Sequence, residues 1–74
     1  MKLIQKVDGI AVTLTQQIAS VERELQMRRN CYPRWIEKGT MSKSKADDEI
    51  RNMTAVLQTL KDFKEENEEK GIGI

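Results

Sequence analysis

Six side chains between positions 28 and 38 have the chemistry to hold a ligand or a partner: Arg28, Arg29, Tyr32, Arg34, Trp35 and Lys38. They lie in the stretch RRNCYPRWIEKGTMS, which also holds the chain's single Cys, Pro, Trp and Tyr. Guanidinium forks match the oxygens of phosphates and carboxylates. Aromatic faces stack on bases or fill a pocket in a partner. In this combination the residues describe a site for an anionic, nucleotide-like ligand or for a partner protein. They also describe a packed corner, where one helix turns back along another and Tyr32 and Trp35 plug the closed end. The residues alone leave both readings open.

Charge placement sharpens the question. The net charge is only +1. Residues 1–27 carry three basic and three acidic groups. Residues 28–45 carry six basic groups against Glu37, a balance of +5, and residues 46–74 carry four basic against eight acidic groups. The basic excess coincides with the unusual stretch and would attract a compact anion. Broad DNA binding, which wants a basic face over a whole domain, is disfavoured by the near-neutral total and the acidic second half.

Other chemistry is excluded. The chain has no His, so Cys–His catalysis at Cys31 is excluded. A single Cys makes neither an internal disulfide nor a zinc site. Asp47, Asp48 and Glu49 are neighbours on a helix, where successive side chains diverge by about 100° and do not converge on one ion. No glycine-rich phosphate loop is present. The expectation is a non-enzyme with no metal and no cofactor. No apolar run approaches the ~20 residues that span a bilayer, and MKLIQKVDGIAV is too polar for a secretory signal. A cytoplasmic protein is expected, which also suits one unpaired Cys.

The elements that position the six residues follow from periodicity. Val7, Ala11, Leu14, Ile18, Val21 and Leu25 recur in steps of four and three, a one-sided helical stripe. Continued in phase, it reaches Arg28, Tyr32 and Trp35. Gly9 weakens the start, so residues 1–8 are expected to be frayed or extended. Pro33 predicts a kink or a brief interruption. Gly39 is a helix stop and Ser42 an N-cap, which sets a turn at 39–42. Ala46, Ile50, Met53, Leu57 and Leu60 form a second stripe, and Gly71 closes it before a mobile tail, 71–74. The fold class is all-α: an antiparallel helical hairpin over 9–70, its first helix kinked near Pro33. Pairing about the turn sets Trp35 opposite Ala46, Tyr32 opposite Ile50, Arg28 opposite Met53 and Val21 opposite Leu60. Arg28 falls in the apolar phase, where it would snorkel or pair with Glu49 across the hairpin. Val12, Ile36 and Val56 lie off the main seams and widen the apolar surface. One hairpin covers each stripe on one side only, so assembly into a helical-bundle homo-oligomer is expected.

The run YPRWIEKGTMSKSKADDEIRNMTAVLQTL resembles a group of small helical phage and prophage proteins. They carry a Tyr-Pro-Arg-Trp run, here residues 32–35, then a Gly, here Gly39, a hydrophobic-Ser step, here Met41 and Ser42, and a second helix. A helix rich in arginine and glutamate precedes the run, as VERELQMRRN does here. The resemblance covers roughly residues 21–60 and departs at Thr40, Asn30 and Cys31. It implies a phage origin and does not carry a mechanism. A phage protein of this size would manage the host, which makes the leading expectation an inhibitor of host defence that sequesters an anionic nucleotide signal or docks on a host protein. A nucleic-acid accessory or regulatory factor and a purely structural oligomer are the alternatives.

Overall fold

The computed structural model describes residues 4–72. Two strands, β1 (Ile4–Val7) and β2 (Ile10–Thr13), form an antiparallel hairpin. Two helices follow, α1 (Leu14–Glu37) and α2 (Lys43–Ile72). The two helices are the expected ones; the hairpin is not.

Helix was expected from position 9, and the chain instead stays extended to Thr13. The cause is local. Asp8 and Gly9 both take positive φ, at 52° and 79°, and Asp-Gly is the pairing that a two-residue hairpin turn selects. Val7 then sits opposite Ile10, and Gln5 opposite Val12. Ile10, Val12 and Thr13 are β-branched and favour the pleated conformation. Val7 and Ala11, which match the helical stripe in spacing, belong to these strands. Of the first eight residues, Ile4–Val7 are extended; residues 1–3 lie outside the described residues.

Thr13 ends β2 and starts α1. Its hydroxyl accepts the Gln16 amide at 3.1 Å, and the Gln16 side-chain oxygen accepts the Thr13 amide at 2.8 Å. This reciprocal capping box satisfies two donors that a helix start leaves orphaned. The helix then runs unbroken through Pro33, so the expected interruption does not occur. Proline costs the helix the bond to the Arg29 carbonyl, four residues from the end of α1, where little of the ladder depends on it.

The turn is built as its residues dictate. Gly39 has φ 79°. Its amide donates to the Ile36 carbonyl at 3.0 Å, and the Thr40 amide donates to the Trp35 carbonyl at 2.9 Å. This is the Schellman arrangement, and its left-handed residue is the glycine. The Ser42 hydroxyl then accepts the Lys45 amide at 3.1 Å and caps α2. At the far end α2 continues through Gly71 to Ile72, so Gly71 does not stop the helix. The rest of the expected tail, residues 73 and 74, lies outside the described residues.

Leu14, Ile18, Leu25 and Tyr32 of α1 are buried, with Ala46 of α2. Ile50, Met53, Leu57 and Leu60 are only half-buried. The molecule measures 53 × 28 × 14 Å, and a helix with its side chains is about 10–12 Å across. The helices therefore form a single layer, and each apolar stripe has one neighbour rather than two. An ion pair between Lys61 and Glu22, at 3.3 Å, spans the layer and shows an antiparallel register close to the expected Val21–Leu60 pairing.

Candidate functional site

The corner holds the six candidate residues on the last three turns of α1 and its cap. Tyr32 is 7% exposed and Ala46 2%, whereas Trp35 is 42% exposed. Trp35 is therefore not the plug opposite Ala46 that the pairing predicted. The buried positions 14, 18, 25 and 32 are four, seven and seven apart, and the step that continues them is Ile36, which is half-buried. Trp35 is rotated off that line by roughly a quarter turn, at about 100° per residue. Its ring still rests on the core: the Tyr32 and Trp35 centroids are 5.5 Å apart and the planes tilt by 37°. Ring pairs at such separations attract beyond their shared buried area. Tyr32 is the anchor and Trp35 the solvent-facing member.

Arg28 stays on its own helix. Its Nη1 donates to Glu24 Oε1 at 2.9 Å and to the Glu24 carbonyl at 3.2 Å. The bond to the Glu24 carboxylate is the main cause that raises the Arg28 pKa; partial burial opposes it, and Tyr32 adds to the rise. The expected partner on α2, Glu49, instead faces Lys45 at 3.9 Å. Glu24 lies one turn back along α1, within a spacing that a guanidinium reaches without crossing the seam.

The remaining cations do not converge. Arg28, Arg29 and Arg34 project in directions about 100–140° apart around the helix. Arg29 borders the buried stripe on the side away from Trp35, Arg34 faces away from the stripe about 100° from Trp35, and Lys38 lies about one turn beyond Trp35. Arg34 approaches Cys31 Sγ at 3.8 Å and is the basic residue of the last turn of α1, where positive charge complements the helix C-terminus. The structure thus brings Tyr32 and Trp35 together, with Lys38 one turn beyond Trp35 and Arg34 turned toward solvent. It leaves Arg29 on the far side and Arg28 occupied by Glu24.

A second surface was not read from the sequence. An open groove of about 420 Å³ lies between β2, at Ile10, Ala11 and Val12, and the α1 face of Gln16, Ala19, Ser20 and Arg23. The signal that locates it is Asp8-Gly9 between two β-branched runs, which predicts a hairpin once the stripe is read with period two instead of three and a half.

Among the described residues no cluster of His, Cys, Asp and Glu is arranged to hold a metal, and no helix is long and apolar enough to cross a membrane. No family model, curated protein or solved structure matches the chain.

Proposed function

We propose that this chain is a non-enzymatic, homo-oligomeric binding protein that docks on a partner protein through the Trp35 edge of its helical corner. The observation that carries the reading is Trp35 itself, a large ring 42% exposed yet braced at 5.5 Å on the buried Tyr32. Burying such an aromatic in a partner's pocket costs little conformational entropy, because its position is already fixed. Trp and Arg are the residue types that most often dominate interfaces, and Arg34 stands beside it. The single-layer build favours self-association of the remaining apolar surface, with Met27 and Val56 also exposed. Sequestering a nucleotide is the weaker reading, since a phosphate meets at most one or two of the arginines of one chain. The resemblance to small phage proteins makes a host defence protein the first partner to test.

A photo-crosslinking residue placed at position 35, in host cells, tests this directly. The expected product is a covalent adduct with a host protein, absent when the same residue is placed at position 29. Adducts with a second copy of this chain alone would move Trp35 into the oligomer interface and remove the docking role.

A further inference from the structure

The groove beside β2 is built from two unlike walls. Gln16, Ala19, Ser20 and Arg23 recur at helical spacing and so share one face of α1, and the small side chains Ala19 and Ser20 keep that face low. The other wall is a strand edge. Among the described residues the sheet has two strands, so β2 pairs with β1 on one side and with no described strand on the other. In a hairpin with a two-residue turn, the pair flanking the turn exchanges its backbone hydrogen bonds, and alternate pairs do the same. Here those pairs are Val7 with Ile10 and Gln5 with Val12. Ala11 lies between them, opposite Lys6, so its N–H and C=O point outward along the free edge. The next outward donor, the Thr13 amide, is already bound to Gln16 at 2.8 Å. Ala11 thus supplies one donor and one acceptor for an added strand.

The charged side chain lining the groove is Arg23; the hairpin beside it carries Lys6 in β1 and Asp8 in its turn. Arg23 donates to the Ser20 hydroxyl at 3.2 Å. The acids on either side of it in sequence face elsewhere: Glu22 meets Lys61 at 3.3 Å and Glu24 meets Arg28 at 2.9 Å. Lys6 lies across from Ala11 on the same side of the sheet. Ile10, at the edge of the groove, is 68% exposed.

We infer that this groove receives an extended acidic peptide segment of another protein, which adds as a strand to the free edge of β2. Its backbone bonds to Ala11, its apolar side chains cover Ile10 and Val12, and a carboxylate meets Arg23. Strand addition takes affinity from backbone bonds and specificity from alternate side chains. A third strand also relieves a two-stranded hairpin that is marginal by itself. The hairpin of a second copy is a poorer occupant: Lys6 and Asp8 leave it without net charge, so it brings no acidic excess to meet Arg23. This surface is independent of the Trp35 edge.

Fluorescence anisotropy with two labelled hexapeptides tests the inference, an acidic one (Asp-Val-Asp-Ile-Glu-Val) and a basic one (Lys-Val-Lys-Ile-Lys-Val). The full chain should bind the acidic peptide and not the basic one. Arg23→Glu should weaken binding about tenfold or more, equal to about 1.4 kcal/mol. Ala11→Pro removes the outward amide and leaves the inward ladder intact, and it should weaken binding similarly, with amide NMR shifts of Gln5 and Val12 showing that the hairpin persists. If Ala11→Pro unfolds the hairpin, Arg23→Glu decides alone. Absence of binding, equal binding of both peptides, or an affinity that Arg23→Glu leaves unchanged would overturn the inference. So would an Ala11 amide already protected from solvent exchange in a homo-oligomer, since a second copy would then occupy the edge.

Discussion

Lys61 on α2 reaches across to Glu22 on α1 at 3.3 Å. The two residues are 39 positions apart, and their contact marks how the helices are aligned along each other. Register and stability are different matters here, because the two side chains are 47% and 49% exposed. Exposed pairs contribute at most about 1 kcal/mol. Lys61→Ala should therefore lower the melting temperature only slightly, and high salt should erase the difference between variant and parent. A loss of several kcal/mol in a denaturant titration would show that the pair matters to stability beyond what its exposure allows.

The corner divides its two aromatics between a buried and an exposed position, and single substitutions separate their roles. Tyr32 is buried, so Tyr32→Ala should cost about 3–5 kcal/mol, in the range of large aromatic truncations. In a hairpin with so few buried side chains, that loss should unfold much of the population at room temperature. Trp35→Ala should leave helicity nearly intact, since the ring shields one face of Tyr32 rather than filling the core. Circular dichroism during a melt measures both. Equal damage from the two substitutions would place Trp35 in the core and withdraw it as a docking residue.

Gly39 offers a test of the turn alone. An added Cβ meets nothing within 4 Å, yet φ is 79°, so the cost of Gly39→Ala is purely that of the left-handed backbone. It should destabilise by about 1 kcal/mol, as left-handed conformations do for L-residues, without a change in oligomeric state. Gly39→Asn should recover part of the loss, because Asn tolerates this region better. A neutral Gly39→Ala would mean that the turn relaxes to another conformation.

How far the sequence was legible follows from these same residues. The turn could be read because Gly39 and Ser42 have one conformational use each at that spacing. The helices could be read because their stripes keep phase for many turns. The hairpin was missed because Val7 and Ala11 satisfy a helical step of four, although Asp8-Gly9 and the β-branched residues after it argued for strands. The interruption expected at Pro33 does not occur, because a proline four residues from a helix end removes a bond on which little of the ladder depends. At the site, residue types singled out the corner but could not order its rings. Whether Tyr32 or Trp35 faces inward depends on a rotation of about 60° between positions three apart, and that is settled by which face α2 covers. The partners of the arginines were equally hidden, because Glu24 and Glu49 were both within reach of Arg28.

The divergence of the arginines separates the two kinds of ligand. Arg28 is held by Glu24, Arg29 borders the buried stripe on the side away from Trp35, and Arg34 faces solvent next to Trp35 in sequence. A nucleotide gripped by several guanidinium groups would have to collect them from more than one copy of the chain. Protein docking at the Trp35 edge needs one chain and uses Arg34 without Arg29. Arg34→Gln should therefore weaken partner crosslinking from position 35, while Arg29→Gln should leave it unchanged and neither should lower the melting temperature appreciably. In the same preparations, mononucleotides and cyclic dinucleotides should give no thermal shift. A ligand present at 100 times its dissociation constant stabilises by about 2.7 kcal/mol, several degrees for a chain of this size. A shift of that size with a cyclic dinucleotide, lost in both Arg28→Gln and Arg34→Gln, would overturn protein docking and make the corner an anion site assembled between copies.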